Sequence, residues 1–146
     1  MDSHHADQLL HTIRTAAIDT GDPQEPQAVL HAIYESIVQG DFDHLTNLMT
    51  EDVELHISGS TLFDGSWCGR DDVIAATKRN FSLLAHQKPQ IDDMACQGNC
   101  VAVLMRESGI VRESGHSYSL RGVQWFTFED GKLKRLNEIV ALELTQ

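Results

Sequence analysis

Gly122-Val123-Gln124-Trp125-Phe126-Thr127-Phe128-Glu129-Asp130-Gly131-Lys132-Leu133 is the stretch on which the fold turns. Gln124, Phe126 and Phe128 share one face of an extended chain, because side chains along a strand alternate with a period of two. Glu129-Asp130-Gly131-Lys132 then supplies a tight turn, with Asp and Gly accepting the backbone geometry that reverses a hairpin. Beyond it the alternation resumes, with Leu136, Glu138 and Val140 on one face and Asn137 and Ile139 on the other. Working backward, Glu113-Ser114-Gly115-His116 and Gln97-Gly98-Asn99 are further turns. Residues 90–96, 101–112, 117–128 and 133–144 thus read as four antiparallel strands in succession.

Upstream the period changes. Val53-Glu54-Leu55-His56-Ile57-Ser58 alternates as a half-buried strand closed by Gly59, while residues 59–70, with Gly59, Gly65 and Gly69, read as a loop. Val29, Leu30, Ile33, Tyr34, Ile37 and Val38 recur at helical spacing, and Gly40 stands where a helix stops. Asp41 or Asp43 caps a short helix that buries Phe42, Leu45, Leu48 and Met49. Asp71 or Asp72 starts another, with Val73, Ile74, Thr77, Phe81 and Leu84 on its apolar side and Pro89 ending the region. A first helical face, Leu9, Leu10, Ile13, Ala16 and Ala17, is cut off by the breaker Thr20-Gly21-Asp22-Pro23-Gln24-Glu25-Pro26. Residues 1–26 therefore read as an N-terminal helical extension and 27–146 as the main domain. Helices first and hairpins after give an α+β class, with helices covering the apolar face of an antiparallel sheet.

Composition narrows the function. The 146 residues suit one ordinary domain, and an apolar share of 41% with 23% charged residues is normal for a packed core. Eleven Lys and Arg against 22 Asp and Glu leave a net charge of −11, which repels phosphate backbones and anionic lipid; neither a nucleic acid nor a membrane is an expected partner. No apolar run approaches the ~18 residues of a membrane span, and Met1 to Ala6 lacks a basic lead into an apolar segment. Cys68, Cys96 and Cys100 read as reduced thiols, which places the chain in the cytoplasm. There is no HExxH spacing, no G-x-S-x-G elbow and no Walker or dinucleotide-binding glycine pattern. The sequence calls for no metal and no cofactor.

Four segments in order carry a resemblance: Ile37-Val38-Gln39-Gly40-Asp41, Glu51-Asp52-Val53-Glu54-Leu55-His56, Gly69-Arg70-Asp71-Asp72-Val73-Ile74 and the Gly122–Leu133 stretch. Together they resemble SnoaL-like proteins of the nuclear transport factor 2-like superfamily, which also holds ketosteroid isomerases and polyketide cyclases. The resemblance spans about residues 27 to 144. It implies a strongly curved sheet wrapped by helices into a cone with an internal pocket, the cystatin-like roll. It also implies a homodimer packed through the outer sheet face. Such folds host isomerases, cyclases, dehydratases and plain binding proteins, so the fold alone does not fix the activity.

Three polar residues are candidates for chemistry. Glu138, flanked on its face by Leu136 and Val140, would be desolvated, which raises a carboxyl toward neutrality and suits it to proton transfer. The resemblance puts it where polyketide cyclases carry their acid/base aspartate, although Leu136 and Asn137 replace the usual His-Trp before it. A bulge would reverse the faces, and Glu138 in solvent or paired with an arginine is the alternative. Gln124, a lone amide beside Phe126 and Phe128, could donate to a developing oxyanion or bond a neighbouring strand. The matching place in ketosteroid isomerases holds a protonated aspartate. His56 matches the position of those enzymes' catalytic aspartate and could assist either role, or be a satisfied half-buried side chain. Counting back from Gly40, the isomerase tyrosine falls on Ile33 and not on Tyr34, so a steroid isomerase is not expected. Tyr34, Phe42, Trp67, Phe81, Phe126, Phe128, Leu136 and Val140 are the expected ligand-binding walls. The expected ligand is a small, apolar or carbonyl-bearing molecule, undergoing isomerisation, cyclisation or dehydration; the rival is a non-catalytic ligand-binding or dimerisation module of the same fold.

Overall fold

The structure is a computed structural model that describes residues 3–16 and 24–145. In chain order it runs α1 (Ser3–Ala16), α2 (Pro26–Gln39), α3 (Phe42–Asn47), β1 (Met49–Ser58), β2 (Gly65–Cys68), α4 (Arg70–Ser82), β3 (Leu84–Gln97), β4 (Cys100–Val111), β5 (Ser117–Glu129) and β6 (Lys132–Thr145). The expected apolar face of the first helix continues to Ile13, Ala16 and Ala17, whose side chains lie outside the described residues, as do positions 20–23 of the breaker.

The helix ends follow local chemistry. Pro26 opens α2, where its missing N–H is no loss, and Gly40 closes it at φ 71°, a left-handed conformation that costs glycine little. The Asp41 side chain accepts the His44 N–H at 3.0 Å and so caps α3. Asp71 and Asp72 sit in the first turn of α4 and Arg79 in its last, each favourably placed in the helix dipole.

The six strands form one curled sheet in the order β2-β1-β6-β5-β4-β3. All neighbours are antiparallel except β1 and β6, which run parallel. Helices pack over its concave face, and Leu30, Val53, Val101 and Val103 between them are fully shielded from water. Each such aliphatic side chain contributes ~1.5–3 kcal/mol through burial. Curling needs close backbone approach at one place: a Cβ on Gly122 would stand 2.1 Å from the Ile139 carbonyl oxygen, so only glycine fits there.

Several expectations are corrected. Residues 65–68, read as loop, form the short strand β2 against β1; four residues carry too little alternation to be recognised. Met49 and Leu84 begin β1 and β3 and do not belong to the neighbouring helices. Pro89 does not end a region but lies within β3, opposite Glu107. β3 is an edge strand, where proline can be accommodated without removing a ladder bond. A bulge does occur in β6: Thr127 faces Arg135 but Phe128 faces Leu133. The inward positions switch there from Leu133 to the even-numbered Leu136, Glu138 and Val140. Because the bulge precedes Leu136, it leaves the inward direction of Glu138 intact.

Candidate functional site

Between the concave sheet and the helices lies a cavity of about 170 Å³, walled by Ile33, Tyr34 and Ile37 of α2, Thr77 and Phe81 of α4, and inward residues of the strands. Leu9 of α1 reaches the same wall, so the N-terminal helix helps to close it. An apolar cavity of roughly 150 Å³ accepts benzene, which sets the scale at about one ring.

Glu138 projects from β6 to line this hollow and is half-buried. Burial pushes its carboxyl up to about 7, against the opposing hydrogen bond from Gln124, while the charge of Glu107 adds to the rise. Gln124 stands opposite it on β5, and its Nε2 donates to Glu138 Oε1 at 3.2 Å. The Gln124 Oε1 in turn accepts the Tyr34 hydroxyl from α2. Tyr34 is thereby held as a proton donor: burial, then the charges of Glu138 and Glu107, push its phenol far above the ordinary range. One chain of hydrogen bonds, Tyr34 to Gln124 to Glu138, fixes the acid's orientation.

A second acid shares the cavity. Glu107 on β4 is also pushed up by burial, with hydrogen bonds from Tyr118 and Gln87 opposing. The Tyr118 hydroxyl donates to Glu107 Oε2 at 2.7 Å. Glu107 was legible in principle, since it continues the inward row of Val101, Val103 and Met105. Gln87 was not, because a register shift beside His86, at φ 53°, aims it inward. Tyr118 shares the inward face of β5 with Leu120 and Gln124 and was missed for want of a named partner.

The remaining expected residues divide. Phe81, Phe126, Leu136 and Val140 line the cavity with Tyr34, which meets Phe126 edge-on at 6.1 Å between ring centres. Phe128 is core instead, stacked behind Phe126 at 6.3 Å. Phe42 and Trp67 lie outside the cavity wall, under the cations of Lys78 and Arg79 respectively. His56 is corrected in position. Leu55 and Ile57 take the inward places of β1, so His56 faces outward, with Nδ1 2.8 Å from Ser66 Oγ and Nε2 3.2 Å from Glu54. Arg135 also holds Glu54, at 3.0 Å, and these partners keep that carboxyl below the ordinary range.

Compared with known proteins, residues 30–136 match a family described as a SnoaL-like domain. No match to a curated protein was found. Among solved structures, an NTF2-like protein from Burkholderia xenovorans aligns with a TM-score of 0.71 at 20% identity, covering 80% of this chain and 89% of that one. A proposed isomerase from Rhodopseudomonas palustris gives 0.66 at 15% identity over 76% and 84%. IdmH, a proposed polyketide cyclase from Streptomyces antibioticus, gives 0.64 at 17% over 80% and 91%. At these identities the likeness establishes a shared fold.

Proposed function

Since the chain belongs to the SnoaL-like domain family, we propose that its cavity binds a small, largely apolar, carbonyl-bearing molecule and that Glu138 moves a proton on it. The observation that carries this reading is a carboxyl at a cavity wall, lifted to about 7 by burial and oriented by Gln124. A group with that value exchanges protons readily at neutral pH. The ionised Glu138 would take a proton from the carbon beside the carbonyl. Gln124 has a second amide hydrogen that could face the developing oxyanion, and the Tyr34 hydrogen bond to its oxygen polarises it for that role. Isomerisation, aldol-type cyclisation and dehydration all begin with this step.

The test is proton exchange in D2O. The whole protein, incubated with single-ring ketones, should speed deuterium entry beside the carbonyl, and Glu138→Gln should abolish the effect. Exchange at the uncatalysed rate for every ketone, alongside measurable binding, would leave a ligand-binding module. One observation favours that second reading: the Gln124 amide already donates to Glu138, and His56 stands outside the cavity.

We also infer a homodimer through the outer sheet face. Leu104, Val123 and Ile139 are register partners across β4, β5 and β6, and Ile139 is 66% and nearby Trp125 48% exposed. Such an apolar row on a sheet is costly to leave in water; sedimentation of the whole chain tests it. The thiols of Cys68, Cys96 and Cys100 are free, which supports a cytoplasmic setting, and among the described residues no helix is long and apolar enough to cross a membrane. Residues 1–26 we take as an extension of the 27–146 domain; the wall position of Leu9 supports a role in closing the cavity.

A further inference from the structure

Ser66, His56 and Glu54 stand together on the outer face where β2 pairs with β1. His56 and Ser66 are register partners, and Glu54 lies two residues before His56, on the same face. Glu54 is ionised, because Arg135 holds its Oε2 at 3.0 Å and keeps the carboxyl below the ordinary range. A carboxylate only accepts, so the His56 Nε2 that stands 3.2 Å from Glu54 Oε1 carries the ring proton. In the neutral imidazole that leaves Nδ1 as an acceptor, and the Ser66 hydroxyl donates to it at 2.8 Å. A serine hydroxyl on a neutral imidazole, with a carboxylate fixing the other ring nitrogen, is the arrangement that activates serine for attack. Here Nδ1 faces the serine and Nε2 the acid, the reverse of the order in serine proteases, and each group keeps its role.

The strand ladder adds a fourth group. The Gly69 N–H bonds the Val53 carbonyl at 2.8 Å, and bonded pairs alternate along an antiparallel ladder. Leu55–Trp67 and Ile57–Gly65 therefore carry the ladder bonds, whereas His56–Ser66 is a pair without them, the kind in which side chains approach most closely. β2 ends the sheet on that side, so the Ser66 N–H points off the free edge, and Ser66 itself is exposed. We propose that Ser66 is the nucleophile of a second, surface site that cleaves small activated esters. His56 is its general base, Glu54 its positioning residue, and the Ser66 N–H a donor to the developing oxyanion. As Ser66 Oγ bonds the acyl carbon, its proton passes to His56 Nδ1 and from there to the departing alkoxide or phenoxide, whose bond to that carbon breaks. Water then attacks the acyl-serine, giving its proton to the same nitrogen. The carboxylic acid leaves and the proton returns to Ser66 Oγ. Neither step uses the cavity, so this site stands apart from the reading of Glu138.

The probe is p-nitrophenyl acetate, given to the whole protein at pH 7.5. A burst of p-nitrophenolate should precede steady turnover, and acid quenching during the burst should trap one acetyl group that peptide mass mapping places on Ser66. Ser66→Ala should abolish the burst, and both it and His56→Ala should lower the steady rate at least about tenfold, the lower reach of general-base catalysis. Cys68, exposed on β2 two residues beyond Ser66, is the competing nucleophile, and Cys68→Ala should leave the burst intact. Glu54→Gln, whose amide oxygen can still accept from Nε2, should keep more of kcat than Glu54→Ala at similar KM. Equal loss in those two variants would overturn the positioning role of Glu54. Acetyl groups only on lysines or Cys68 of the unaltered protein, with turnover no faster than free imidazole gives, would overturn the site whatever the variants do.

Discussion

Replacing Glu138 with glutamine isolates the cost of the buried charge. Burial raises its carboxyl from an ordinary 4.5 to about 7. Between those values the folded protein holds a proton that the unfolded chain has released. The stability tied to this group is therefore fully present below about 4.5, falls as pH rises through the window, and is lost above about 7. A gap of about 2.5 pH units at 1.36 kcal/mol each amounts to roughly 3 kcal/mol. An amide at this position keeps the shape of the side chain, still accepts from Gln124 through its carbonyl, and carries no charge. Glu138→Gln should be close to neutral at pH 4 and stabilising by about 2–3 kcal/mol at pH 8, or about 5–10 °C in Tm for a domain of this size. Urea unfolding at the two pH values, with thermal melts alongside, measures it. A variant less stable than the parent at pH 8, or the same difference at both pH values, would refute the claim that this carboxyl is buried without compensation. Greater stability with loss of exchange activity is the pattern expected when a fold carries a strained functional acid.

Three further outcomes are expected. Tyr34→Phe removes the donor to the Gln124 carbonyl, and the unpaired oxygen should cost about 1–3 kcal/mol in urea unfolding; an unchanged midpoint would mean the chain of hydrogen bonds carries no stability. His56→Ala, at the partly exposed outer face, should change stability by less than about 1 kcal/mol and leave ketone exchange untouched. A large loss of exchange would return this histidine to the catalytic set. Gly122→Ala forces a methyl group to within 2.1 Å of the Ile139 carbonyl, so the strands must separate. A cost above ~2 kcal/mol, or loss of soluble protein, is the expected reading on melting and expression.

Alternation decides how much of this could be read from the residues. The faces of Gln124, Phe126, Leu136, Glu138 and Val140 follow from a period of two plus the turn at 129–132, and all five line the cavity. Phe128 shares that period but lies behind Phe126, because periodicity assigns a face and not a depth. His56 is the sharper case. The face of β1 was set by Leu55 and Ile57, and a resemblance by position carried the histidine across to the wrong side. Glu107 lay in an apolar row that could have been counted, whereas Gln87 depends on a local irregularity with no sequence marker.

The amino-acid order by itself determined most of the helices and the longer strands, where most of them stop, and that an acid lies among aliphatic neighbours on the last strand. Those are local properties, set by turn residues, caps and the spacing of apolar side chains. Only the tertiary structure decided that Glu138, Gln124 and Tyr34 form one hydrogen-bonded chain, and that a second acid 31 positions earlier opens on the same hollow. The physical reason is that burial and electrostatic coupling depend on distance through space. Curling the sheet and closing it with helices brings together groups whose separation along the chain says nothing about that distance.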